Sequence, residues 1–426
     1  MSKIRLFGTS SGYVEIAPAA AASNNTLTAP STVGEIIAKD AAGAIGVTSV
    51  HTTNITATGI ATITTAKIGA GVTISESGIE ASGIGITCAN INGGQIGGTR
   101  NLVINGSQIF DQRNGGSAVT PSQNTITFIT DRFMVYESTD GVVSAQQSST
   151  APDGFTKSLK IDCTTADTSL AAGQRLICEH RIEGNNIAHL GFGSSAAKTL
   201  TLSFYVRSNL TGTFGGVIKN NATNRVYIFS YSISSANTWE RKTITIPGDT
   251  TGTWLTTNGT GIIINWGLAL GSNWTGTAGS YVTSDKHGVT GQLNLLSSTD
   301  NEWLLTGVQL EVGTQATAFE HRTYGDELSL CQRYYQNINP RWTGWIVSAT
   351  QIRAGIVFPT TMRATPSCTH SSSYIQYGPG GQQTGSLQSF SDISDSGCVA
   401  ILNNGGGMTT NAGSTGAISM AATAEL

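Results

Sequence analysis

Between residues 200 and 206 apolar and polar side chains alternate: Leu200, Leu202, Phe204 and Val206 are separated by Thr201, Ser203 and Tyr205. A period of two puts the first set on one face of a strand and the second on the other. Runs of similar strand-forming character recur at 125–129, 225–229, 242–246, 262–266 and 303–310, with turn residues between them. Half-apolar strands of this kind predict two antiparallel sheets around one core, a β-sandwich spanning 115–325. Shorter strand signals at 345–347, 355–359 and 398–402 predict a smaller β domain within 326–426, with polar, glycine-rich loops at 378–381 and 403–407. A single helix separates the two. Thr323 and Asp326 form a capping box, and Leu328, Cys331 and Tyr335 recur at helical spacing opposite Glu327, Gln332 and Arg333.

Upstream the pattern changes. From 46 to 114 the large apolar residues are isolated: Ile55, Ile60, Ile63, Ile68, Ile74, Ile79, Ile84, Ile86, Ile91 and Ile96, then Leu102, Ile104 and Ile109. Intervals near five fit neither a helix nor a steadily alternating strand. Very short strands joined by tight glycine turns would produce them. One buried isoleucine contributes about 2 kcal/mol, whereas ordering each residue costs about 1.5 kcal/mol, so a single copy would not stay folded. Three copies around one axis would bury every isoleucine and pair every strand edge. The expectation is a homotrimeric fibrous β shaft with Ile55, Ile60, Ile68, Ile74, Ile79, Ile84, Ile91 and Ile96 in its core; a flexible linker and a turn of monomeric β-helix are the alternatives. Before it, residues 1–45 begin with a hairpin signal, Ile4-Arg5-Leu6-Phe7 and Tyr13-Val14-Glu15-Ile16, and continue into Ala/Pro/Ser/Asn-rich sequence that needs a partner to become ordered.

Composition narrows the function classes. The 426 residues include 52 glycines, only 12% are charged, and the formal net charge is -3, which leaves no basic excess for neutralising nucleic-acid phosphates. No apolar stretch is long enough to cross a membrane, and Gly8 to Gly12 interrupt any signal-peptide core. The cysteines Cys88, Cys163, Cys178, Cys331, Cys368 and Cys398 show no metal or redox spacing and read as free thiols.

Candidate chemistry is sparse. None of the six histidines belongs to a metal motif; Cys178 and His180 share one strand face with Glu179 on the other, and Asp285-Lys286-His287 reads as a polar loop. No metal or cofactor is expected. A pair of carboxylates for glycoside cleavage would be drawn from Asp140, Asp153, Glu179, Glu183, Asp249 and Asp285. Trp254, Trp274, Tyr281 and Tyr377 lie amid Thr, Gly, Asn and Ser, where an aromatic plate bordered by hydroxyls and amides suits a sugar ring.

The run from Trp303 through Gly307-Val308-Gln309-Leu310-Glu311-Val312-Gly313, continued by Ala316-Thr317-Ala318-Phe319-Glu320-His321-Arg322 and by Tyr324-Gly325-Asp326-Glu327-Leu328-Ser329-Leu330-Cys331-Gln332-Arg333-Tyr334-Tyr335, resembles the signature of tail-fibre and appendage proteins of tailed phages. Phe358-Pro359-Thr360-Thr361-Met362-Arg363-Ala364-Thr365-Pro366 and the closing Ala421 to Leu426 agree with it, and Ile4-Arg5-Leu6 with Ser11-Gly12-Tyr13-Val14 is similar to the virion-attachment end of marine phage fibre proteins. Asp326 departs from the glutamate commoner in that family. The resemblance implies a homotrimer on the virion, docked on other tail or baseplate proteins through its N-terminus. Its jelly-roll-like, carbohydrate-binding sandwich and C-terminal domain would meet a host-surface glycan or other receptor, with no catalytic set. A capsid or baseplate decoration without receptor binding and a polysaccharide depolymerase are the alternative functions.

Overall fold

The protein is seen here in a computed structural model, which describes residues 4–7, 13–16, 65–68, 72–75, 78–81, 99–348, 350–370, 374–378, 381–403 and 412–426. It divides into two units, Met1–Thr87 and Cys88–Leu426. In the first, Ile4–Phe7 pairs antiparallel with Tyr13–Ile16, as the hairpin signal predicts. Three four-residue strands, Thr65–Ile68, Val72–Ser75 and Gly78–Ala81, form one antiparallel sheet in which Ile74 stands opposite Ile79 and Ile68 opposite Val72. Short strands at the isoleucine spacing are therefore present. Ile55, Ile60, Ile84, Ile91 and Ile96 lie outside the described residues, as does the Ala/Pro-rich stretch after Ile16.

In the second unit Leu200, Leu202, Phe204 and Val206 are all fully buried, on the face that their alternation assigns them. Their strand, Leu200–Ser208, belongs to a five-stranded sheet ordered Glu240–Ile246, Leu200–Ser208, Glu302–Val312, Ser158–Thr165, Val142–Ser148. A second sheet has seven strands: Tyr281–Val282, Val226–Ile233, Gly212–Lys219, Thr260–Leu270, Arg175–Glu183, Phe133–Glu137 and Ile126–Thr130. All neighbours in both sheets run antiparallel. Between them lies one apolar core in which Phe204 meets Trp266 edge-on and Trp303 Nε1 donates to Tyr231 Oη at 3.2 Å. At Gly307 the register of Glu302–Val312 shifts against Leu200–Ser208 and φ is +60°. A side chain there would strike Phe155 and Tyr205 at 2.8 Å, so glycine is required at this bulge.

The sandwich begins earlier than residue 115. Val103 is part of its core, Leu102 N–H donates to Leu310 O at 2.9 Å, and Val308 N–H donates to Gly106 O at 3.0 Å. Of residues 99–114, assigned to the shaft by their isolated apolar side chains, 101–106 thus run along the strand Glu302–Val312, while Phe110 joins Cys331 and Tyr334 and Asn114 bonds to Phe128 and Ile129. Spacing alone does not distinguish a lining segment from a shaft.

The helix forms over Tyr324–Gln332, and the Thr323 hydroxyl accepts from Asp326 N–H at 3.3 Å, as the capping box predicts. Its sides differ from the expectation. Glu327 is buried because it accepts from Asn105 N–H and pairs with Arg322 at 3.1 Å. Tyr334, not Tyr335, completes the buried cluster with Ile104, Phe110 and Cys331, since the helix stops at Gln332 and Tyr335 opens the next strand.

The C-terminal part holds a sheet ordered Gly381–Gly385, Tyr374–Gly378, Gly413–Ala417, Arg341–Ser348, Gln351–Val357, Gly397–Asn403, Leu387–Ser391, and a smaller one ordered Tyr335–Ile338, Met420–Thr423, Ser367–His370. Ion pairs fasten this part to the sandwich. Glu183, wholly buried, takes Arg333 bidentately at 2.9 and 2.7 Å and the Tyr334 hydroxyl at 2.8 Å. Four arginines grip the last three residues: Arg113 and Arg132 pair with Glu425, Arg181 donates to Leu426 O, and Arg363 donates to Ala424 O and Glu425 O. Five described cysteines carry free thiols, and those of Cys368 and Cys398 lie within hydrogen-bonding reach of each other. Among the described residues no helix is long and apolar enough to cross a membrane.

Candidate functional site

The outward face of the seven-stranded sheet is mixed: an apolar cluster of Val217, Val226, Ile228 and Val289 lies beside the buried polar side chains of Glu179 and Asn265. Register places Met134, Glu179, Asn265 and Val217 in one row across four strands, with Tyr136, Ile177, Gly267 and Gly215 in the next. A loop, residues 271–293, lies over one end of this face. Two glycines admit it: a methyl group at Gly215 would sit 2.5 Å from Val289 N, and one at Gly267 would sit 2.7 Å from His287 O. The loop brings Trp274, Asp285 and His287 onto the sheet.

A directed chain of hydrogen bonds results. Arg175 Nη1 lies 2.9 Å from His287 Nε2, and His287 Nδ1 lies 3.2 Å from Asn265 Oδ1. Asn265 Nδ2 donates to Glu179 Oε2 at 2.6 Å, and Glu179 Oε1 pairs with Arg181 Nε at 2.5 Å. An arginine only donates, so the His287 tautomer with hydrogen on Nδ1 satisfies both Arg175 and Asn265, while Asp285 Oδ2 lies 3.6 Å from Nε2. Burial, helped by the positive charges of Lys219 and Arg175, holds the His287 pKa down to about 4 against the pull of Asp285. The ring is therefore neutral at pH 7, as the chain requires. Asp285 in turn pairs with Lys219 at 2.7 Å.

The chain holds a stack. The Arg175 guanidinium lies 3.9 Å from the Trp274 ring centroid and 4.6 Å from that of Tyr136, and His287 meets Trp274 edge-on at 5.2 Å. Trp274 Nε1 donates to Gly173 O at 2.7 Å, which fixes the indole plane. Trp274, Tyr136 and Arg175 are all half-buried, while Ser272 and Asn273 beside them are exposed. The result is a rigid aromatic and guanidinium platform edged with hydroxyl and amide groups, able to stack on an apolar ring face and bond the hydroxyls around it.

The four aromatic residues singled out in the sequence do not converge. Trp274 belongs to this platform. Trp254 is only 6% exposed; its Nε1 donates to Asp249 at 3.1 Å and its ring meets Phe192 edge-on. Asp249 also takes Arg225 bidentately, and Tyr281 packs beside this group against Tyr227, its hydroxyl donating to Pro247 O at 2.9 Å. Tyr377 lies in the C-terminal sheet, its backbone paired with Thr415. Arg175, His287, Asn265 and Tyr136 carried no local sequence signal, because the platform arises from register between strands far apart in the chain.

Cys178 and His180 do share the inner face, opposite Glu179. Neither ring nitrogen of His180 finds a hydrogen-bond partner, and burial, with Arg132 nearby, holds its pKa well below the usual histidine range. Among the described residues no group of three or more His, Cys, Asp or Glu is arranged to hold a metal. Four of the six carboxylates considered for glycoside cleavage are committed to cations: Glu179 to Arg181, Glu183 to Arg333, Asp249 to Arg225 and Asp285 to Lys219. A second hollow, about 800 Å³, lies beside the helix between Thr99, Arg322, Arg333 and Thr361. Both of its arginines are already paired with glutamates.

No protein-family profile matches the chain, and no curated protein matches it. Among solved structures it is similar to the enzymatically active domain of bacteriophage CBA120 tailspike protein 4, at 13% identity and a TM-score of 0.25 over 50% of this chain and 21% of that one. It is also similar to a family 11 carbohydrate-binding module from Clostridium thermocellum in complex with a β-1,3-1,4-mixed-linked tetrasaccharide, at 12% identity and TM-score 0.24, covering 48% and 98% of the two chains. The CBM22-1 xylan-binding domain from Paenibacillus barcinonensis Xyn10C gives 9% identity and TM-score 0.23, covering 47% and 97%. The chain spans about a fifth of the tailspike domain. Scores of this size describe a distant likeness of shape and say nothing of ligand or role.

Proposed function

We propose that the protein is a non-catalytic, homotrimeric tail fibre or related virion appendage of a tailed phage that binds a host-surface glycan through the Trp274 platform. The observation that carries the binding role is the platform itself: a half-buried indole fixed by Gly173, stacked by Arg175, and held through His287 and Asn265 by a buried carboxylate. Rigid aromatic groups bordered by hydrogen-bonding groups recognise sugars at low entropic cost. The phage assignment is supported by the sequence resemblance that runs from Trp303 to Tyr335, with virion attachment through the N-terminal segment. The trimer is supported by the isoleucine spacing and by the short strands that carry Ile68, Ile74 and Ile79. Three copies on one stalk turn a weak sugar contact into firm attachment, because the second and third contacts become intramolecular. Pairing of four candidate carboxylates with Arg or Lys favours binding over hydrolysis.

The test is binding of full-length protein to host cells and to a glycan array. Trp274→Ala is expected to lower affinity at least tenfold, about 1.4 kcal/mol, with unchanged circular dichroism. Affinity of Trp274→Ala unchanged for every glycan on the array and for host cells, or binding confined to the N-terminal half, would overturn the site; sedimentation of the full-length chain as a folded monomer would overturn the trimer.

A further inference from the structure

Among the described residues the larger sheet of the C-terminal domain has a buried core on one face. Trp342, Ile346, Ile352, Ala354, Ile356 and Leu402 fill its buried side. On the opposite side the register sets Ile401, Arg353, Trp345 and Gly413 in one row; in the next, Val399 stands across from Gly355 and Thr343 across from Thr415. Trp345 is 52% exposed in the middle of this face, an uncommon place for an indole in a sheet with a core available to it. A methyl group added at Gly413 or Gly355 would meet nothing within 4 Å, so the ground on either side of the ring is open.

The charge on this face has one sign. Arg353 stands directly across from Trp345, within side-chain reach for a cross-strand pair, and Arg341 stands at the start of the strand that carries Trp345. Both arginines are exposed, and neither enters an ion pair or hydrogen bond among the described residues. No carboxylate occupies either row. Elsewhere in the molecule arginines are partnered as a rule: Arg113, Arg132, Arg181, Arg225, Arg322 and Arg333 all bind carboxylates.

We infer that this face is a second glycan site, separate from the Trp274 platform, and that it takes an anionic sugar. The Trp345 indole stacks on the apolar face of a pyranose ring, the Arg353 fork pairs with the sugar's carboxylate or phosphate, and the Thr343 and Thr415 hydroxyls bond neighbouring hydroxyls. A second copy meeting this face with the same face, as across a twofold axis, would bring arginine against arginine; a threefold contact would set a different face against it, and sedimentation of Trp345→Ala tests that occupant. A neutral glycan would leave Arg353 without its counter-charge.

The test uses calorimetry on the full chain with trigalacturonate, its fully methyl-esterified form, and glucose 6-phosphate. Wild-type protein is expected to bind an anionic probe, carboxylate or phosphate, more tightly than the ester, with affinity falling as salt rises. Trp345→Ala should weaken binding of the anionic probes at least tenfold. Arg353→Gln should bring the anionic probe down to the ester's affinity, and Trp274→Ala should change neither. Circular dichroism and sedimentation of each variant verify fold and assembly. The proposal is overturned if Trp345→Ala and Arg353→Gln bind as wild type does, if neither anionic probe binds, if Trp274→Ala abolishes the signal, or if Trp345→Ala dissociates the assembly.

Discussion

Acid should disarm the Trp274 platform through one imidazole. His287 accepts from Arg175 on one nitrogen and donates to Asn265 with the other, a pattern open only to the neutral ring. Its pKa is about 4 in the folded chain against 6.5 for an unperturbed histidine. The unfolded state therefore binds the extra proton first, and stability is lost as pH falls below 6.5. Linkage over that interval gives about 2 kcal/mol lost by pH 5 and about 3 kcal/mol by pH 4. The measurement is the urea midpoint of wild type and of His287→Asn at intervals from pH 8 to pH 4, followed by tryptophan fluorescence. Groups away from His287 titrate alike in both proteins, so the difference between the two curves reports His287 together with its neighbour Asp285. Wild type should lose its advantage over the variant as pH falls through 6 and 5, whereas glycan affinity at the platform should hold over that interval and decline only as pH approaches 4, where the folded ring itself takes up a proton. A difference that stays constant with pH would refute the neutral-ring chain.

Three other outcomes follow from packing and charge. Burial raises Glu137 to about 7, so its unfolded carboxyl ionises first and stability falls as pH rises from about 4.5 to 7; Glu137→Gln should raise the urea midpoint at pH 8 and lose that gain below pH 4.5. Gly215→Ala should displace the 286–292 loop and cost about 1–3 kcal/mol as overpacking does, seen as a lower melting temperature together with weaker binding at the platform. Arg333→Ala strips the wholly buried Glu183 of its cation and should cost about 3 kcal/mol, with faster proteolysis of the C-terminal domain in a time course.

The fold was most legible where one strand face is buried and the other wet. Leu200 to Val206 announced their strand through alternation, and Thr323 with Asp326 announced the helix start. Strands buried on both faces were harder to see. Arg175–Glu183 has almost every residue buried, and Gly212–Lys219 carries three glycines that make room for Phe229, Leu293 and the 286–292 loop, so neither alternates. The site was legible only at Trp274. Its partners are set by pairings such as Glu179 with Asn265 and by glycines that let a loop lie down, relations between segments that no local window contains. Isolated apolar residues misled at 99–114 because Val103 completes a core built mainly from residues that follow it.

The arginine grip on Ala424, Glu425 and Leu426 bears on how the chain is made. Arg113, Arg132 and Arg181 emerge from the ribosome some 250 to 310 residues before the groups they hold. During synthesis those cations face water while the sheets behind them close, and their partners arrive only after the C-terminal domain has been translated. Loss of Ala424 to Leu426 would thus leave two uncompensated charges on the sandwich, Arg113 and Arg132, and should trap the protein in inclusion bodies.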